Sequence, residues 1–135
     1  MELAERLRPL AGMVPILEAP DADFGHWDNT PTISGSEHLP WFVFGPTADA
    51  FRAAVASGGW IMLGFDWMTW LRTGEGQALR DDPDAPAGAT PDQLGRLLTA
   101  IIRSDRFVEG SFAGAFESGL LARIARRAAA LLAAQ

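Results

Sequence analysis

Apolar residues recur at helical spacing near both ends of the chain and fall in short unbroken runs between them. Leu3, Leu7, Leu10, Val14 and Leu17 step by three and four, which predicts helix from Glu2 to about Leu17. Pro9 and Pro15 divide it into two short pieces. Residues 17–45 form an irregular N-terminal segment, and the Pro, Asp, Gly, Ser and Thr of 19–40 suit irregular structure or a loose hairpin. Trp41-Phe42-Val43-Phe44, ended by Gly45-Pro46, is a candidate buried strand. A second run, Trp60-Ile61-Met62-Leu63, is a candidate partner for it in a small sheet.

Between those runs, Thr47 can cap a helix that passes Ala50, Phe51, Ala54 and Val55 and stops at Gly58-Gly59. Asp66 can cap another carrying Trp67, Trp70 and Leu71. Residues 74–88 are polar and rich in Asp, Gly and Pro, which predicts a flexible loop. Thr90-Pro91-Asp92-Gln93 is a helix start with the spacing of a capping box. Leu94, Leu97, Leu98, Ile101 and Ile102 follow as its buried face. Gly110 and Gly119 bracket a short helix before a last one from about Leu120 to Ala134. The expected fold is mainly α: five or six helices and at most a two- or three-stranded sheet, in a single compact domain over residues 1–135.

Composition narrows the chemistry. The chain has 135 residues, enough to bury a core without a metal or disulfide. It has no cysteine, which excludes disulfides, thiolate nucleophiles and Cys-ligated metals. No signal peptide or bilayer-length apolar run is visible, so a cytoplasmic location with no membrane partner is the expectation. All eleven basic residues are Arg, the bias of a GC-rich, bacterial genome. A net charge of −6 argues against nucleic-acid binding. The charge is uneven. Residues 1–95 hold fourteen acids and five arginines, a balance of −9, whereas residues 96–135 hold three acids and six arginines, a balance of +3. Either the two parts pack together and neutralise each other, or the C-terminal helices carry an anion site.

The familiar catalytic signatures are missing: no phosphate loop, no GxSxG, no HExxH, and no cofactor or metal motif. His26 and His38 suit surface or loop-packing roles, and Ser34 and Ser36 have no base nearby. The richest polar cluster is Arg103-Ser104-Asp105-Arg106-Phe107-Val108-Glu109-Gly110, in the helical C-terminal region 90–135. Asp105 continues the Leu98–Ile101 face and needs an Arg or backbone donors to satisfy it. If helix continues through the cluster, Asp105 and Glu109 are neighbours and could share acid–base work, with Arg103 or Arg106 as an anion clamp. The same residues serve equally as an ion-pair network that pins a helix turn. Trp67 and Trp70, beside Asp66, share a helix face that either anchors the core or stacks on a ligand.

Residues 97–127, LLTAIIRSDRFVEGSFAGAFESGLLARIARR, resemble the signature of a bacterial family, domain of unknown function 6508. Its T-x-x-I-R-x-D-R-F run, E-G step and F-E-x-G step fall at Thr99–Phe107, Glu109-Gly110 and Phe116–Gly119. GFDWMTW, Gly64 to Trp70, resembles its F-D-W-x-x-W element. The resemblance implies no established activity. It marks Asp66, Trp67, Trp70, Arg103, Asp105, Arg106, Glu109, Gly110, Glu117 and Gly119 as distinctive positions.

The expected function is a non-enzymatic binding or interaction module for an anionic small molecule or a protein segment. Its ligand-binding candidates are Asp66, Trp67, Trp70, Arg103 and Arg106. The alternative is a small hydrolase or transferase using Asp105 and Glu109 as its catalytic pair. The alanine-rich last helix suggests a homodimer through that element.

Overall fold

The computed structural model describes residues 1–29 and 40–135. Its helices are α1 (Leu3–Ala11), α2 (Val14–Leu17), α3 (Pro46–Ser57), α4 (Trp67–Leu71), α5 (Gly74–Asp81), α6 (Pro91–Ser104), α7 (Ser111–Glu117) and α8 (Leu120–Ala133). A short 3-10 turn covers Ala85–Gly88. Two strands, β1 (Gly25–Asp28) and β2 (Trp41–Phe44), pair antiparallel, with Trp27 opposite Phe42. The fold is mainly α with this one small sheet among the described residues. His38, Ser34 and Ser36 lie outside the described residues.

α8 packs most extensively on α1 and also touches α2, α7 and the 3-10 turn. Ala125 and Ala128 of its alanine stripe have no exposed surface, so these small side chains serve close packing within the chain. Leu7, Leu10, Leu121 and Ile124 are likewise fully buried. α6 starts as its sequence predicts: Thr90 accepts from the Gln93 N–H, and the Gln93 side chain accepts from the Thr90 N–H. Leu94, Leu97 and Leu98 of α6 are fully buried.

Two segments depart from expectation. Trp60–Leu63 is not a strand, and β2 pairs instead with Gly25–Asp28 from the segment expected to be irregular. Gly25 permits that pairing, because its φ is 137° and a Cβ there would lie 2.2 Å from the Val43 carbonyl oxygen. The Met62 N–H goes instead to the Thr99 hydroxyl of α6, at 3.0 Å. Trp60 is fully buried; its indole N–H donates to the Arg6 carbonyl, and the Arg6 guanidinium stacks 4.3 Å from its ring. Side-chain demands outside any sheet therefore capture this run.

The second departure is residues 74–88, which form α5 and the 3-10 turn in place of the expected loop. Thr73 caps α5 by accepting from the Gly76 N–H, and Leu79 and Pro86 are buried. With so few buried side chains, the segment has no periodic apolar pattern to announce a helix. Its order comes from the cap and from Glu75.

Candidate functional site

α6 ends at Ser104, so Asp105 to Gly110 form a turn rather than a continued helix, and Asp105 and Glu109 do not share a helical face. Gly110 opens α7 at φ 96°, and a Cβ there would fall 2.7 Å from the Trp27 ring. Both carboxylates serve this turn. Asp105 Oδ1 accepts from the N–H groups of Gly110 and Phe112, at 3.2 and 3.1 Å, satisfying donors at the start of α7. Glu109 Oε1 accepts from the Phe42 N–H at 3.0 Å and so caps the outer edge of β2. Phe24, stacked 4.6 Å from Phe116 and edge-on 4.9 Å from Phe112, completes the join between the ribbon and α7.

Arg103 is half-buried and Arg106 is exposed. Neither is near enough to Asp105 or Glu109 to form an ion pair, as the ion pairs among the described residues involve Arg80, Arg96 and Arg126. Glu117 is exposed at the end of α7. Asp66 caps α4, accepting from the Thr69 hydroxyl at 2.7 Å and the Thr69 N–H at 3.2 Å. Those two donors hold its carboxyl below the usual range.

The two tryptophans of α4 part company. Trp70 is buried, and its indole N–H donates to Glu75 Oε2 at 2.6 Å. Glu75 also accepts from the Gln93 amide at 2.9 Å and from Arg96 at 3.1 Å. The Gln93 and Trp70 donors, with Arg96 adding attraction, push its carboxyl below the ordinary value. Sequence reasoning missed Glu75, because two of its three partners, Gln93 and Arg96, lie on α6, about twenty positions away.

Trp67 is only half-buried and faces a cavity of about 630 Å³ walled by α4, α6, α7 and the start of α8. Leu97, Ala100 and Ile101 of α6, Ala115 of α7 and Leu120 of α8 line it together with Leu71. Phe107, 5.9 Å from Trp67 ring to ring, lines it too, as does Val108. The volume lies within the range typical of small-molecule sites, roughly 300–1,000 Å³. Asp66, Trp70, Arg103, Asp105, Arg106 and Glu109 are not among its lining residues.

The polar groups around the cavity are few. Ser104, Ser111 and Ser118 line it, with Arg80, Asp81 and Arg123. Arg80 grips Asp81 at 2.8 Å through two parallel hydrogen bonds, and that contact lowers the Asp81 carboxyl below its ordinary value. The lone carboxylate lining the cavity among the described residues is thus already engaged. Arg123 donates through Nη1 to the Ser118 carbonyl at 3.2 Å, while its Nε is shielded from solvent with no protein acceptor. Arg123 belongs to the arginine-rich C-terminal part, and that charge excess was the one sequence signal that could have pointed to it.

The profile of DUF6508, a family of unknown function, matches residues 2–134. The chain belongs to this family. No curated protein and no solved structure matches it. Four signature residues of this DUF6508 protein have structural assignments: Asp66 and Asp105 cap helices, Glu109 caps a strand edge, and Gly110 accommodates Trp27. Among the described residues, no group of His, Asp and Glu is gathered to hold a metal ion. No helix among them is long and apolar enough to cross a membrane.

Proposed function

We propose that this protein is a non-enzymatic binding module for a small, largely apolar anion held in the cavity between α4, α6, α7 and α8. The observation that carries this reading is Arg123. An oxyanion entering the cavity would compensate the guanidinium charge of Arg123, which lines the cavity and which Asp81, gripped by Arg80, leaves unmatched. Trp67, Phe107 and the aliphatic floor suit an apolar body. The acid–base alternative has less support, since Asp105 and Glu109 each accept backbone N–H groups and neither lines the cavity.

Anilinonaphthalene sulfonate, itself an apolar anion, tests the reading. We expect saturable binding to the folded protein, with quenching of tryptophan emission. Gly114 lines the cavity, and a Cβ there meets nothing within 4 Å, so Gly114→Trp adds bulk without a backbone clash. That variant should melt cooperatively and lose the probe, and Arg123→Gln should weaken it about tenfold, the size of one lost charged hydrogen bond. Probe binding that ignores both substitutions would sink the proposal.

A further inference from the structure

A second, smaller cavity of about 170 Å³ lies beside the first and shares Pro83 and Arg123 with it. Its remaining walls are Ala87, Arg126, Arg127 and Ala130. Among the described residues, no acidic side chain lines it. The three arginines sit at helical steps of three and four on α8, so their like charges crowd one face. Among the described residues, only Arg126 of the three is compensated: Glu18 takes it in a two-point ion pair. Arg127 is steadied by its Nε, which donates to the Ala89 carbonyl at 2.8 Å, and it forms no ion pair among the described residues. Arg123 lines both cavities and forms no ion pair among the described residues. Asp82 and Asp84 flank Pro83 in sequence but are exposed, and Asp82 accepts the Asp84 N–H within its own turn.

At about 170 Å³ the cleft is too small for a whole ligand of the usual size, roughly 300 Å³ upward. It is large enough for one carboxylate or phosphate group. Guanidinium groups meet such groups through forked, two-point hydrogen bonds, and a site with Arg on two sides and no acid selects for them. We propose that the Arg123–Arg127 cleft is the headgroup end of the binding site, so that the ligand is an amphipathic acid: an apolar chain in the larger cavity, ending in a carboxylate or phosphate between Arg123 and Arg127. This inference rests on the proposed binding role of the larger cavity.

Calorimetric titration with decanoate, decyl phosphate and decanol tests it, because the three share a chain and differ at the head. The acids should bind at least about tenfold more tightly than decanol, as one or more charged hydrogen bonds require. Whichever acid binds more tightly identifies the head as carboxylate or phosphate. Arg127→Gln should collapse the acid-to-alcohol ratio toward one and leave decanol affinity unchanged. Arg123→Gln should lower the same ratio, and this second variant keeps the test intact if loss of the Ala89 contact unfolds the first. Equal binding of acid and alcohol to the wild type would overturn the headgroup assignment while leaving the cavity reading standing. Loss of acid and alcohol affinity by one common factor in both variants would also overturn it, since that is the mark of a structural role. Failure of all three compounds to bind would bring down both.

Discussion

The Glu75 hub and the Arg123 cavity both draw on α4 and α6, and they treat like residues in opposite ways. At the hub, Trp70 is buried with its N–H on Glu75, and Arg96 is paired with the same carboxylate. At the cavity, Trp67 stays half-exposed against Phe107, itself 68% exposed, and Arg123 has a buried nitrogen without a protein acceptor. A saturated polar cluster holds a fold together. An unsaturated one beside exposed aromatic rings is where a fold can take up something else. The difference teaches that a count of tryptophans and arginines says little until each is asked what it already touches.

Four substitutions sharpen that contrast. The largest effect is expected at Trp60, which lies outside the hub but is saturated in the same way. Trp60→Ala removes a fully buried ring that both donates to the Arg6 carbonyl and stacks on its guanidinium, and should cost about 3–5 kcal/mol. Urea unfolding would measure it, and Trp67→Ala should cost clearly less in the same assay. Equal losses would erase the distinction between the two sides.

Glu75→Ala comes next. It leaves the Trp70 N–H and Arg96 without their acceptor and should cost on the order of 1–3 kcal/mol. The folded-state pKa of Glu75 is lowered, so its contribution is complete above the ordinary carboxylate value, ~4.3, and is lost as pH falls through the lower folded value. Thermal melts of wild type and variant should therefore converge as the pH is lowered through that window. A gap between them that holds constant from neutral to strongly acidic pH would show that the Glu75 charge is not what matters.

The smallest effect is expected at Arg103, which is half-buried and outside the ion pairs of the described residues. Arg103→Ala should shift stability by less than about 1 kcal/mol. A loss of about 3 kcal/mol or more is the size seen when a buried carboxylate loses its partner, and it would restore the ion-pair network read from the sequence.

Legibility in the sequence followed the range of the interaction. The capping box of α6, the Asp66 cap of α4, the stop at Gly58 and the buried faces of α6 and α8 all depend on residues within a few positions of one another. Each could be read from spacing and residue type. The charge imbalance between residues 1–95 and 96–135 was equally visible, and contacts such as Glu18–Arg126 and Glu75–Arg96 bring the two parts together. The need of Asp105 for a guanidinium or for backbone donors was also legible, but not which.

Tertiary structure alone decided which partners were met. It turned the chain at Ser104, so that Asp105 and Glu109 took backbone N–H groups instead of each other. It gave β2 a partner in Gly25–Asp28, because the Trp60–Leu63 run was claimed by Arg6 and Thr99. It made α5 from a polar stretch by joining Glu75 to Trp70, Gln93 and Arg96. It also brought Trp67, Phe107 and Arg123 to one cavity across more than fifty positions of sequence. Helix caps and apolar faces are written locally, because a helix closes its bonds within four residues. A cavity has no local pattern: it is the space that separate elements leave when each has buried its own face, and only their packing defines it.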